Sequence, residues 1–223
     1  NNRDEPIGQR GRGRSGYEYF PEDDNHIYTI AQFYPRMSVY KDVYGWQNKQ
    51  FLGRGEFTLS FGDYNVSITT PVDHVLGASG ELQNMKEVLT AEQRERFEQA
   101  KNSSDPVVIV TQEEATEAEK EDATETKTWK FKADNVRDFA FASSRKYIWD
   151  AQGVKFGDRT VMAMSYYPKE SNPLWGTYST RSVAHTLDVY SKYTFDYPYP
   201  GAISAHVNNM GRGYPMIWFN GVR

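Results

Sequence analysis

Apolar and polar positions alternate with period two over much of the first 150 residues, which predicts short strands. In Tyr64–Thr70, Tyr64, Val66 and Ile68 alternate with Asn65, Ser67 and Thr69, and in Gly55–Phe61, Phe57, Leu59 and Phe61 alternate with Thr58 and Ser60. Such a strand buries one face and wets the other, the habit of an antiparallel sheet with a single buried side. His26–Phe33, Val107–Thr111, Thr128–Ala133 and Val136–Ala142 have strand character too, from their β-branched and aromatic residues. Turn-forming residues separate these runs, and "FGDYN" at 61–65 suits a hairpin turn.

Two segments change period. "LTAEQRERFEQAK" (89–101) offers Thr90 as N-cap with Gln93 three residues on, a capping box, and Leu89 and Phe97 as an apolar stripe. "NPLWGTYSTRSVAHTLDVYSKYTF" (172–195) has Val183, Leu187 and Tyr190 at i, i+4 and i+7. That spacing predicts an amphipathic helix, capped near Ser179 or Thr180 and ended by the prolines of "DYPYP". "AISAHV" (202–207) and "YPMIWFN" (214–220) read as two further strands. "EEATEAEKEDATET" (113–126) holds seven acids and one base and reads as a solvated loop between strands; its spacing fits no EF-hand. The expected organisation is a flexible arm over 1–16, an antiparallel β-domain with its connector over 17–176, and the start of an α+β domain over 177–223.

Composition adds a few exclusions. Aromatics make up 15% of the chain, with 16 Tyr, which favours strands and half-wet surfaces. A net charge of −4 points to neither nucleic acid nor a membrane surface as partner. The absence of cysteine removes disulfides, a thiol nucleophile and thiolate metal ligands. It suits an extracytoplasmic bacterial location, periplasmic or secreted, which is the expectation, and also a cytosolic one. No apolar run approaches the roughly 18 residues of a membrane span. The polar start lacks a signal-peptide core and an initial Met, so a mature or clipped start is expected.

Motifs with chemistry are scarce. "GRGRSG" (11–16) spells G-x-G-x-x-G, but a polar tail precedes it and "YEYFP" follows, whereas a dinucleotide fingerprint needs a strand before and a helix after. His26, His74, His185 and His206 are far apart in sequence; none forms H-E-x-x-H, and His185 reads as a helix-surface residue. No G-x-S-x-G elbow or P-loop is present. The chain by itself is expected to hold no catalytic residue and no metal.

Three stretches in order carry a resemblance: "WKFKADNVRDFAFASS" (129–144), "RSVAHTLDVYSKYTFDYPYP" (181–200) and "GRGYPMIWFN" (211–220). Together they resemble the aminopeptidase-N-like zinc metallopeptidases. "NVRDFAF" is similar to a strand closing that family's N-terminal β-domain, and "YTFDYPYP" to the helix end that opens its thermolysin-like catalytic domain. "GRGEFTLSFGDYNVSITTP" and "ASGELQN" resemble β-domain hairpins of a bacterial branch.

The resemblance implies a sandwich- or saddle-like antiparallel β-domain followed by the first helix and strands of a thermolysin-like domain. It also implies that the family's zinc motif, H-E-x-x-H with a further Glu, would follow beyond residue 223. This chain would then be an inactive part of a zinc aminopeptidase. Zinc would belong to the intact parent, and the partners would be a peptide substrate and the rest of the catalytic domain.

"AQFYP" (31–35) resembles the family's T-Q-x-x-P strand, which implies that Gln32 accepts a hydrogen bond from the substrate's free amino group. Met210, Gly211, Arg212, Gly213 and Tyr214 align with the G-x-M-E-[NYH] signature, whose backbone would pair with an extended substrate. Gly213 stands where the family has its amino-terminus-binding Glu, and Arg212 where Met is usual. Both departures disfavour an ammonium at that point. A non-catalytic peptide- or glycan-binding β-domain, or a degenerate paralogue, is the other reading.

Overall fold

The computed structural model of the protein describes residues 15–48, 58–207 and 211–221. In chain order these form β1 (Gly16–Phe20), β2 (Asn25–Ala31), β3 (Tyr40–Lys41), β4 (Gly45–Trp46), β5 (Gly62–Pro71), β6 (Val75–Ala78) and β7 (Glu81–Leu82). Then come α1 (Met85–Val88), α2 (Ala91–Ala100), β8 (Val107–Val110), α3 (Gln112–Ala118), β9 (Thr126–Val136), β10 (Ala140–Ser144), β11 (Ile148–Phe156) and β12 (Arg159–Tyr167). A 3-10 turn at Lys169–Ser171 leads into α4 (Leu174–Tyr193), β13 (Gly201–His206), β14 (Gly211–Tyr214) and β15 (Ile217–Asn220). The mainly β architecture expected from the sequence is the one adopted.

The strands build a four-stranded sheet in the order β1-β2-β10-β6, a three-stranded sheet β5-β9-β7, a small ribbon β3-β4, and a six-stranded sheet β14-β15-β13-β12-β11-β8. Pairing is antiparallel in the first three. In the six-stranded sheet β13 runs parallel to both β12 and β15. Parallel neighbours need a long crossover, and α4 supplies it between β12 and β13. Strands on either side of residue 176 therefore share one sheet. Trp129, Phe139, Tyr147, Ile27, Phe219 and Ile217, drawn from three sheets, are all but fully buried in one continuous core.

Period-two alternation survives in β5, where Tyr64, Val66 and Ile68 are half-buried against that core and their neighbours are exposed. Other details differ from the sequence reading. Residues 58–61 are irregular and Gly62 opens β5, so "FGDYN" makes no hairpin turn; Gly55–Phe57 lie outside the described residues, as do 1–14 of the expected arm. The acidic stretch begins as α3: Thr111 and Glu114 form a second capping box, with Thr111 Oγ1 accepting from the Glu114 N–H at 3.2 Å and Glu114 Oε2 from the Thr111 N–H at 2.6 Å. Ala115 is buried against Ile148, Tyr167 and Trp175, which a wholly solvated loop cannot provide.

The long helix starts at Leu174, five residues before the expected cap. Asn172 Oδ1 accepts from the Gly176 N–H at 3.2 Å and serves its first turn. Ser179 and Thr180 instead face the sheet, where Ser165 bonds both at 2.8 Å and Thr180 also donates to Asp150. The buried stripe runs through Thr180, Ala184 and Leu187, while Tyr190 is exposed. "YPMIWFN" is the turn of a hairpin plus one strand: Tyr214 pairs with Ile217 across Pro215 and Met216.

A charged cluster ties distant segments together. The Lys146 ammonium is fully buried and lies 3.2 Å from Glu119 Oε1, 2.9 Å from Glu170 Oε1, against Asp23, and 4.7 Å from the Phe20 ring centroid. Burial opposes its charge, but the hydrogen bonds it donates to Asp23 and Glu170 outweigh that and raise its pKa. Asp23 moves the opposite way, its desolvation overcome by Lys146.

Removing this cation leaves Asp23, Glu119 and Glu170 facing one another with only Lys169, on Glu119 and 3.7 Å from Asp23, to compensate them. Lys146→Met is expected to cost about 3–5 kcal/mol, the range for stripping one partner from a buried ion pair. Urea unfolding at pH 7 measures it.

Burial also holds the His74 and His206 side chains neutral, each down to about 4. An unfolded histidine takes its proton near pH 6.5. Their contribution is therefore full above that pH and lost as pH falls toward 4, about 3 kcal/mol each. Asp150, pushed up to about 6 by burial, has the opposite sign and returns a similar amount over the same descent. A net loss of about 3 kcal/mol between pH 7 and 4 is the expected balance. Unfolding free energies at intermediate pH values check it.

Candidate functional site

Gln32 is the first residue beyond β2, and it sits at φ +53°, in the left-handed region that non-glycine residues seldom occupy. Ala31 still pairs with Ala140. The kink then turns the chain so that Phe33 lies edge-on to Phe141 at 5.5 Å and Tyr34 reaches inward. Asp138 fastens the new direction: its Oδ1 accepts from the Tyr34 hydroxyl at 2.9 Å and the Phe139 N–H at 2.8 Å, and its Oδ2 from Arg36 at 2.7 Å. Burial, with hydrogen bonds to Tyr64 and Asp138, raises the Tyr34 phenol further from ionisation.

Thus pinned, Gln32 is half-buried and lines a polar cavity of about 310 Å³ with Arg36, Ser38, Gln47, Asn48 and Thr58. Its amide makes no hydrogen bond to the described residues. A carboxamide in such a place has both an acceptor and two donors open to a ligand.

Gly211, Arg212, Gly213 and Tyr214 form β14, the edge of the six-stranded sheet, paired to β15 on one side. Gly211, Arg212 and Gly213 are exposed. Among the described residues the other side of β14 has no strand partner, so its backbone is open to an added strand. Gly213 faces Trp218 across the pair, and a Cβ there would sit 2.9 Å from Trp218 Nε1. The indole lies on the glycine and fills the place a longer side chain would use. Met210 lies outside the described residues.

A short relay links these two places. Ala140, the partner of Ala31, donates its N–H to Ser79 Oγ at 3.1 Å, and Ser79 Oγ donates to the Pro215 carbonyl at 2.7 Å. Pro215 and Met216 make the β14–β15 turn. Met216 is at φ +63° yet buried, and its carbonyl accepts from Ile203 at 2.8 Å. From Ala31 to Ser79 is two strand spacings, roughly 10 Å. Gln32 and β14 thus flank one seam between two sheets, while no hydrogen bond or shared cavity joins them among the described residues.

The histidines have other work. His26, Tyr28 and His74 stack in sequence at 5.7 and 6.1 Å, and His74 Nδ1 shares a hydrogen bond with Ser143 at 2.9 Å. His185 is exposed on α4. His206 lies 3.2 Å from Ser171 Oγ and 3.6 Å from Glu18 Oε2. These are the letters of a hydrolytic triad, but all three side chains are buried and a substrate has no way in. With its pKa near 4, His206 is neutral at pH 7, so its approach to Glu18 is not an ion pair there. Among the described residues no three His, Asp or Glu side chains are grouped to hold a metal.

Sequence reasoning had no sign of Ser79, Asp138 or Trp218, which position the two candidate elements. Ser79 and Asp138 act through partners far along the chain, and Trp218 acts on Gly213 across the hairpin, a pairing that is set by the turn.

No protein-family model matches the chain, and no curated protein matches it. Among solved structures it is similar to a mutant two-domain M1 zinc metallopeptidase bound to L-tryptophan, at 14% identity and a TM-score of 0.50, over 96% of this chain and 38% of that one. The M1 zinc metallopeptidase from Deinococcus radiodurans gives 14% identity and a TM-score of 0.50 over 95% of this chain and 38% of that one. At this identity the likeness is one of fold. The chain spans 38% of the length of the structures it matches.

Ser79→Ala deletes both bonds of the relay and leaves the Ala140 N–H and the Pro215 carbonyl without it. A loss of about 1–3 kcal/mol is expected, the range for stranded buried polar groups. Amide exchange should quicken most at 211–220 and 140–142; uniform quickening along the chain would show that the relay does not hold the hairpin.

Proposed function

We propose that this chain is part of a zinc aminopeptidase, in which it supplies substrate-binding elements rather than the reacting centre. The observation that carries the reading is the fold likeness to M1 zinc metallopeptidases over nearly the whole chain. The three ordered stretches that resemble the family in sequence support it from the other side.

In this reading the side-chain carbonyl of Gln32 accepts a hydrogen bond from the substrate's amino-terminal ammonium, for which its unpartnered amide is suited. The open edge of β14 pairs with the extended backbone of the peptide through the main chain of Gly211–Tyr214. Gly213, roofed by Trp218, offers no carboxylate, so a neutral oxygen recognises the charge. The described residues do not fit zinc, which in this reading is held by residues outside them; no step through the metal is assigned to this chain.

The test is a titration of the protein with trialanine and with N-acetyl-trialanine, followed by NMR. A hydrogen bond to a charged group contributes about 1.5–3 kcal/mol, and about 1.4 kcal/mol is a factor of ten. The free peptide is therefore expected to bind at least about tenfold more tightly, and Gln32→Leu to erase the difference. Pairing Gly213→Glu with Trp218→Ala, which clears the indole, should add about another factor of ten. Equal binding of the two peptides by the wild type removes Gln32 from the role, and binding of neither removes peptide recognition from this chain.

A further inference from the structure

A second pocket shares no lining residue with the Gln32 cavity and includes none of β14. It has a volume of about 420 Å³ and apolar walls from Val75, Val88, Leu89, Val110 and Trp129. Pockets of roughly 300–1,000 Å³ are the usual size for small-molecule sites. The ammonium of Lys127, the second residue of β9, lies at this pocket's wall beside Val88 and Trp129.

Lys127 is poorly served for a half-buried cation. Its Nζ donates to the Val88 carbonyl at 3.2 Å and stands 4.7 Å from the Trp129 ring centroid. It has no carboxylate within 4 Å among the described residues, although three acids line the same pocket. Each of those acids has a cation of its own. Asp73 Oδ2 accepts from Arg145 at 3.0 Å and from the Ala123 N–H at 3.1 Å. Glu114 Oε2 accepts from Arg96 at 2.8 Å and from the Thr111 N–H, and Glu87 lies 3.4 Å from Lys130. The buried Asp73 Oδ1 has no hydrogen-bond partner and its charge favours the Lys127 cation from a distance, but no carboxylate among the described residues bonds Lys127, which keeps spare N–H groups beside an apolar space. Burial has lowered its pKa to about 8, and the charge of Asp73, which acts the other way, does not offset it.

We propose that this pocket binds a small carboxylate with an apolar or aromatic body, its head on the Lys127 ammonium and its body along the Val88, Leu89 and Trp129 walls. The ligand supplies the directly bonded carboxylate that Lys127 does not have among the described residues, in a place where desolvation makes such a pair strong. Trp129 is a fixed wall, because its indole N–H donates to Thr70 Oγ1 at 3.1 Å. This site is independent of the aminopeptidase reading, since its ligand has no ammonium and touches neither Gln32 nor β14.

Phenylacetate, benzyl alcohol and phenethylamine are suitable probes, followed by calorimetry and by the Trp129 indole N–H signal in NMR. At pH 7 phenylacetate is expected to bind at least tenfold more tightly than benzyl alcohol and to shift that signal, while phenethylamine does neither. Lys127→Met keeps the apolar stem and should bring phenylacetate down to the benzyl alcohol level. In the wild type, binding should weaken about tenfold or more at pH 9.5, as Lys127 loses its proton. The charged groups that line the pocket beside it are Asp73, Glu87, Glu114 and Arg145. The pH arm decides the matter even if the variant fails to fold. Absence of phenylacetate binding, equal affinity for the alcohol, or an affinity unmoved between pH 7 and 9.5 overturns the proposal.

Discussion

A lysine with no access to water is the constraint around which the described fold is arranged. Lys146 follows β10, and its three carboxylate partners come from the turn after β1, the end of α3 and the 3-10 turn before α4. A buried ammonium tolerates few partial arrangements, because each missing carboxylate leaves it uncompensated in a medium of low polarity. The three segments must therefore arrive together. Lys169 shares Glu119, and Asn25 donates to the Glu119 carbonyl at 3.1 Å, so the start of β2 is fastened in the same cluster. From there β2 runs seven residues, roughly 20 Å, to Gln32 at its far end. The placing of the candidate amide depends on a charge cluster one strand-length away.

That dependence explains which parts of the fold were legible in the sequence. Period-two patterning showed β5, and the capping box at Thr90 and Gln93 marked α2, because both signals are local. Thr111 and Glu114 carry the same box, at the same spacing, but seven acids downstream drew the reading toward a solvated loop. The acids are partly committed: Glu119 to Lys146 and Lys169, Asp122 to Arg145, Glu114 to Arg96. Their cations lie 18 to 50 residues away, beyond the reach of any window pattern. Ser179 and Thr180 misled in the opposite sense. As letters they are caps, but buried Asp150 needs two hydroxyl donors, and Thr180 and Tyr167 provide them from within α4 and β12.

The candidate site divides in the same way. Its residue types could be picked out from likeness to a family, since Gln32 and the glycines of β14 stand in short ordered stretches. Its geometry could not. The letters around Gln32 are those of a strand, yet the left-handed kink takes it out of the ladder, and its amide has no hydrogen-bond partner among the described residues. A non-glycine residue pays for such a conformation in strain, and here the Asp138 hub of Tyr34, Arg36 and the Phe139 N–H holds it. Gly213 shows the reverse case, a position whose emptiness has a local cause. A side chain there collides with Trp218, so the glycine is tied to the tryptophan across the pair, whatever its consequence for recognising a charge.

The strongly shifted ionisable groups point away from chemistry in this part of the molecule. Perturbed values often mark active sites, because the burial that shifts a pKa also tunes a catalyst. The inference needs access as well as a shift. His74, His206, Asp150 and Tyr147 are all shifted chiefly by burial, and all sit in packed interior with hydroxyl, carbonyl or aromatic neighbours. Ser171, His206 and Glu18 illustrate the limit: the right residue types in contact, but closed to any substrate. Lys127 differs, because its shift comes with a cavity beside it and with competing acids already matched to other cations. Gln32 differs again, being uncharged and half-open to a polar cavity. Both set one polar group beside a cavity wall, the arrangement by which a small ligand is held and oriented.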